Sequence, residues 1–183
     1  LECSVVDILN EGCTDLYALN FDSTAIIDNG SCLYSTSCGL DLFFSEYVES
    51  SGNNKALEIY NPTSLPIDLS QYNIERYPNG YVISPDVLNL SGTINPNDVV
   101  VITNGQTDTT YSGGFMYLPC DPYLYSLGDL HCSGIYPTPF YFNGDDALVL
   151  SKNGIPIDVF GRVGEDPGSC LLYTSPSPRD LRK

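Results

Sequence analysis

The sequence predicts an all-β protein, an antiparallel β-sandwich preceded by a small disulfide-stapled module. Three observations carry that prediction. From Leu40 onward, short runs rich in Val, Ile, Leu, Phe and Tyr recur about every eight to twelve residues between clusters of Gly, Pro, Asn and Asp, which is the punctuation of a sandwich. No apolar pattern of helical period competes over a useful length. Residues 1–38 hold Cys3, Cys13, Cys32 and Cys38, and a segment so short folds on disulfides or metals rather than on its own core.

The elements follow in order. Strands are expected at residues 40–49, 56–61, 72–77, 87–90, 99–103, 147–151 and 155–160, with a smaller one at 66–69. In the second of these, Leu57 and Ile59 alternate with Glu58 and Tyr60, which turns the first pair toward a core. Val99 to Ile102 is apolar throughout and reads as a strand covered on both faces. Pro78-Asn79-Gly80, Asn95-Pro96-Asn97-Asp98, Asn143-Gly144-Asp145 and Asn153-Gly154 supply turn chemistry. A single helix is expected at 122–130, capped by Asp121.

Composition bounds the function. The chain has 183 residues with seven Lys plus Arg against 23 Asp plus Glu, a net charge of -16. Direct binding to nucleic acid or to an anionic membrane needs basic groups that this chain lacks, so cations are the more natural partners. No run reaches the roughly 18 apolar residues of a membrane span. Seven cysteines without a Cys-x-x-Cys pair, beside one histidine, point to disulfides rather than zinc, hence to an oxidising compartment and a secreted or cell-surface location.

Both termini carry expectations of their own. The chain starts at Leu1 with neither Met nor a signal peptide, as the interior of a longer secreted precursor would. From Cys170 to Asp180 it reads CLLYTSPSPRD, which resembles the translated read-through of a sequencing-library adaptor; a Pro- and Ser-rich linker is the other reading. On the first, residues 170–183 are a non-native tail on a fragment, residues 39–169 form the sandwich domain, and the cysteine count becomes even.

Within the N-terminal module, GCTDLYALNFDSTAIIDNGSC places Cys13 and Cys32 at the ends of a loop, and a bridge closing it contributes about 3 kcal/mol in the chain-entropy view. Cys3 and Cys38 are expected to join each other, or Cys3 an upstream repeat. The same stretch resembles a Gly-Cys-Thr-Asp to Gly-Ser-Cys repeat of large extracellular bacterial proteins, which implies location and modularity rather than chemistry. Asp15, Asn20, Asp22, Asp28 and Asn29 gather hard oxygen ligands of the kind calcium takes, the one cofactor the sequence suggests. Asn20-x-Asp22-x-Thr24 copies the start of an EF-hand loop, yet Ala25 stands at the turn glycine and no Glu follows at the bidentate position. Asx-turn use, with Asp28-Asn29-Gly30 as a tight turn, is the commoner reason for such clusters.

Three separated blocks, SEYVESSGNNKALEIYNPTSLPIDLSQYNIERY, LSGTINPNDVVVIT and FNGDDALVLSKNGIPIDVFGRVGEDPG, resemble the lamin tail domain in its bacterial secreted form over about residues 40–169. The resemblance implies an immunoglobulin-like sandwich and an accessory role beside extracellular hydrolases. Residues 105–142 depart from it as a long insertion holding Cys120, His131 and Cys132. Cys120 and Cys132 are expected to bridge the loop around the short helix. A lone histidine with no second nitrogen ligand reads as a loop residue. Tyr117, Tyr123, Tyr125, Tyr136 and Tyr141 crowd the insertion and suit either a recognition surface for sugars or protein, or packing of the insertion onto the sandwich.

Carboxylates raise the enzyme question. Glu46 and Glu58, if they faced each other, would suit acid and base roles in glycoside hydrolysis. Alternatively Glu46, Glu58, Asn61 and Asp145 share hydrogen bonds or one calcium ion, or simply form a solvated acidic face. No metalloprotease, phosphate-loop, nucleophile-elbow or dinucleotide motif occurs. The sequence therefore reads as a non-catalytic extracellular accessory module serving adhesion, binding or targeting. Its expected partners are an extracellular protein or polysaccharide and the neighbouring domains of its parent chain. The alternative is an accessory domain of a secreted metal-dependent nuclease or phosphoesterase whose catalytic domain lies elsewhere.

Overall fold

A computed structural model describes residues 10–15, 18, 20–32, 41–83, 86–134 and 136–168. The chain divides into two compact units, residues 1–38 and residues 39–183.

The first unit is built on two short strands, β1 (Glu11–Gly12) and β2 (Ile27–Asp28), paired in parallel. Cys13 follows β1 directly, is buried, and is bonded to Cys32 with an S–S distance of 2.05 Å, as the loop ends predict. The glycine of the Gly-Cys-Thr-Asp motif has a steric reason. A Cβ on Gly12 would lie 3.0 Å from the Ala25 Cβ and 3.1 Å from the Asp22 Oδ2, so a larger residue would push the loop off the strand. Cys3, Cys38, Cys170 and the adaptor-like tail lie outside the described residues.

The second unit contains twelve strands among its described residues. In chain order they are β3 (Phe43–Glu49), β4 (Lys55–Tyr60), β5 (Ile67–Asp68), β6 (Tyr72–Tyr77), β7 (Asp86–Asn89), β8 (Thr93–Ile94), β9 (Val99–Asn104), β10 (Thr110–Ser112), β11 (Phe115–Tyr117), β12 (Leu130–Cys132), β13 (Ala147–Lys152) and β14 (Ile155–Phe160). One sheet has the order β12-β9-β4-β3, the other β14-β13-β6-β7. All pairings in them are antiparallel except β12 with β9. Two small antiparallel pairs, β5 with β8 and the hairpin of β10 with β11, complete it. This is the immunoglobulin-like sandwich the sequence implies.

The core lies between the two sheets. Leu57, Ile59, Val100 and Ile102 from one face meet Tyr72, Ile74, Leu148 and Leu150 from the other, each set at the period of two that the alternating pattern requires. Phe140 and Phe142, within and just after a 3-10 turn over Pro139–Tyr141, close one end. The Asn153 backbone, at φ 51°, makes the tight hairpin turn between β13 and β14.

Three details differ from expectation. The strand buried on both faces is β13, where Ala147 and Val149 form a second cluster with Tyr77, covered by Val159 and Val163. In β9, Val99 stays 37% exposed, because no layer covers that end of its outer face. The helix α1 is shorter than predicted, Pro122–Ser126, with Asp121 accepting from the Tyr123 and Leu124 N–H groups as its cap. It ends early because the chain must return to pair Leu130–Cys132 along β9; a Cβ on Gly128 would collide with Thr103 and His131.

The predicted Cys120–Cys132 bridge is corrected: both are free, buried thiols. Cys132 belongs to β12, along one edge of β9. Cys120 lies just after Leu118, whose carbonyl accepts from Asn53 at the mouth of β4, along the other edge of β9. The chain leaving β9 runs between them: the Gly105 N–H donates to the Cys132 carbonyl and the Gln106 carbonyl accepts from the Cys120 N–H, each at 2.8 Å. Burial pushes both thiols up from their ordinary pKa.

Candidate functional site

The insertion converges on one end of the sandwich. There β4 begins at Lys55, β6 ends at Tyr77 and β13 begins at Ala147. A cleft of about 450 Å³ opens between them, lined by Lys55, Arg76, Asn79, Met116, Tyr117, Leu118, Tyr136, Tyr141, Phe142, Asn143 and Asp146.

Its floor is polar because a charged residue sits in an inward position. Tyr72, Ile74 and Arg76 share one face of β6, and at the third place the core carries a guanidinium where an aliphatic residue would fit the pattern. The Arg76 Nε and Nη2 donate to Asp86 Oδ2 at 3.0 and 2.6 Å on the adjacent strand β7, and Nη1 donates to the Tyr141 carbonyl at 2.7 Å. The Asp146 Oδ2 stands 3.7 Å from Nη1. Buried ion pairs of this kind hold only when every lone pair and proton is engaged. Asp146 meets that condition through the Asn79 and Asn143 N–H groups, which donate to its two oxygens at 3.1 Å each. Burial nevertheless pushes the Asp146 carboxyl up to about pKa 6, against the pull of Arg76 and the amides. Lys55 is also buried; its Nζ donates to the Ser50 carbonyl at 3.1 Å, pairs with Glu49 at 3.4 Å and lies 5.7 Å from the Phe142 ring centroid.

The walls are aromatic. Tyr117 and Tyr136 stack at 5.3 Å between centroids, and Tyr141 meets both edge-on at 5.6 and 5.3 Å. The Arg76 guanidinium lies 5.9 Å from the Tyr136 ring. One side chain fastens this arrangement. The Gln106 Nε2 donates to the carbonyls of Asp108 and Tyr117 at 2.8 Å and of Leu118 at 3.2 Å, while its Oε1 accepts from the Tyr141 hydroxyl. Asn104 in turn accepts the Gln106 N–H and donates to the Phe140 carbonyl. Gly105 between them passes against β12, where a Cβ would lie 2.8 Å from the Cys132 carbonyl oxygen.

Of the five tyrosines singled out in the sequence, Tyr117, Tyr136 and Tyr141 meet in the cleft, and Tyr123 and Tyr125 do not. Tyr123 is 73% exposed on α1, and Tyr125 stacks on His131 at 3.8 Å. His131 further shares a 2.8 Å hydrogen bond with Thr103 through Nδ1, so its ring is held on β12 by a stack from α1 and a hydrogen bond from β9. Lys55, Arg76, Asp86, Gln106 and the fastening role of Asp146 escape the sequence reading. A basic residue in the inward phase of Tyr72-x-Ile74-x-Arg76 was the available signal for Arg76; nothing local marks Gln106.

Of the other candidates in this unit, Asp145 directly precedes Asp146 of the cleft lining, whereas Glu46, Glu58 and Asn61 do not line it. Glu46 and Glu58 do face each other in register, on the outer face of the sheet, where Glu58 accepts from the Ser45 hydroxyl at 2.6 Å. Asn61 is fully buried elsewhere, donating to the carbonyls of Leu65, Ile94 and Asn95. Burial, with the Asp166 and Glu49 carboxylates nearby, raises the Asp145 pKa. In the N-terminal unit the proposed calcium ligands serve turns. Asp22 accepts from the Thr24 hydroxyl and N–H at 2.6 and 2.9 Å, which holds its carboxyl below the usual range. Asp28 accepts the Gly30 N–H at 2.9 Å, and Asn20 is engaged through its donor, to the Ser31 carbonyl at 2.7 Å. The Asp15 carbonyl accepts the Ala18 N–H. Among the described residues no group of three or more His, Cys, Asp or Glu is gathered as metal ligands are. No helix among them is long and apolar enough to cross a membrane.

The lamin tail domain family model matches residues 35–164, the whole of the sandwich just described. That family comprises non-catalytic, immunoglobulin-like modules. No curated protein matches the chain.

Proposed function

We propose, for a chain that belongs to the lamin tail domain family, that it acts as a non-catalytic recognition module of a secreted or cell-surface bacterial protein. The observation that carries this reading is the convergence of Tyr117, Tyr136 and Tyr141 on one cleft, at the end of the sandwich where the loops gather. Rigid scaffolds that present loops at one end use them for binding, and tyrosine brings a large contact area with a polar tip. The Cys13–Cys32 disulfide suits an oxidising compartment. On this reading residues 1–38 serve as a stapled spacer and the sandwich engages a partner outside the cell.

The test is retention of the whole chain on isolated cell-envelope material, comparing wild type with the double variant Tyr117→Ala/Tyr136→Ala at equal folded concentration. Retention that the double variant loses supports recognition through the cleft. Retention unaffected by it, or nuclease or glycosidase turnover abolished by Glu46→Gln or Glu58→Gln, overturns the proposal.

A further inference from the structure

We infer that the cleft takes a neutral saccharide, one or two pyranose rings of a longer glycan; this rests on the recognition reading above and names its ligand class. Size is the first argument. About 450 Å³ lies within the roughly 300–1,000 Å³ of small-molecule sites, a space for sugar rings rather than for a folded element of a partner.

The lining is the second argument. A pyranose offers an apolar face of C–H groups and a rim of hydroxyls, and so needs an aromatic surface edged by hydrogen-bonding groups. Tyr136 is 42% exposed with its stacked neighbour Tyr117 beside it, and Asn143 stands exposed at the rim. Among the described residues the Tyr117 and Tyr136 hydroxyls and the Asn143 side-chain amide make no hydrogen bond, whereas the Tyr141 hydroxyl is held by Gln106. Three polar groups are therefore free to meet a ligand at one place, beside the part-exposed ring of Tyr136.

Charge is the third. Arg76 and Lys55 reach the cleft already paired, with Asp86 at 2.6 Å, Asp146 at 3.7 Å and Glu49 at 3.4 Å. No surplus cation remains there for a phosphate or a uronate, and a net charge of -16 repels acidic glycans at a distance.

Native affinity electrophoresis of the whole chain tests this, with gels containing hydroxyethylcellulose, mannan, xylan, dextran or polygalacturonate. At least one neutral polysaccharide is expected to retard the chain, with apparent affinity reduced tenfold or more by Tyr136→Ala, reduced less by Tyr136→Phe, and unchanged by Tyr123→Ala. Should Tyr136→Ala not fold, the exposed rim variant Asn143→Ala carries the same test. Retardation by polygalacturonate alone, by none of the gels, or equally in wild type and cleft variants overturns the inference. Tyr136-dependent binding of an oligolysine peptide, with no response to any neutral polysaccharide, overturns the saccharide assignment and leaves the recognition reading standing; loss of all Tyr136-dependent binding removes both.

Discussion

The carboxylate of Asp158 on β14 accepts the backbone N–H of Phe44 on β3 at 2.7 Å, joining the edge strands of the two sheets. Phe44 lies where the β3–β4 register slips, so its N–H points away from β4. Left without a partner, that N–H would be an orphan on an exposed edge. Asp158→Ala is expected to destabilise the sandwich by about 1–3 kcal/mol, a fall in melting temperature of roughly 2–4 °C per kcal/mol for a domain of this size. Asp158→Asn keeps an acceptor oxygen and should lose less. Equal losses for the two variants, read by thermal unfolding, would remove the role assigned to the hydrogen bond.

Arg76 and Asp86 form a pair whose side chains are 5% and 3% exposed. Arg76→Met leaves a buried carboxylate without its cation and is expected to destabilise by about 3–5 kcal/mol. The double variant Arg76→Met/Asp86→Leu should recover part of that loss, because one of the two buried carboxylates that face Arg76 is gone. Denaturant unfolding of both variants checks the order; a double variant no more stable than Arg76→Met contradicts it.

Burial pushes the Asp146 carboxyl up to about pKa 6 in the folded protein, above the usual carboxylate range. A folded pKa that is raised means the native state holds the proton more tightly. Its contribution to stability is therefore fully present below about pH 4 and declines as pH rises to about 6. The stability difference between wild type and Asp146→Asn should shift against wild type across that window and stay level above pH 7. Unfolding at closely spaced pH values measures it, and a flat difference between pH 4 and 7 would refute the assignment.

Among Cys13, Cys32, Cys120 and Cys132, peptide mapping without reduction should link only Cys13 with Cys32, and Cys120 and Cys132 should be alkylated only after unfolding. A peptide joining Cys120 to Cys132 would contradict the two free, buried thiols.

Much of the scaffold was legible in the sequence because its signals are local. Alternation in Leu57, Glu58, Ile59 and Tyr60, and turn residues such as Asn153, report the geometry of their own segment. The short pairings β8, β10, β11 and β12 were not legible, since two or three residues carry no periodicity. β12 also owes its place to the unusual parallel pairing with β9. The cleft was half legible. Crowding of tyrosines marked the insertion, but which three meet depends on Gln106, whose bonds reach Tyr117, eleven residues on, and Tyr141, thirty-five residues on. The Cys120–Cys132 expectation failed for a similar reason: proximity in sequence said nothing of the strand that stands between them.

The buried thiols make folding a matter of timing. A chain whose sandwich closes before oxidation hides Cys120 and Cys132 and leaves Cys13 to find Cys32. A chain oxidised while still open faces three pairings of those four cysteines, two of which tether the N-terminal loop to the β9 region. Oxidant supplied too early during refolding should therefore give scrambled, covalently trapped monomers, and the order of collapse and oxidation sets the yield.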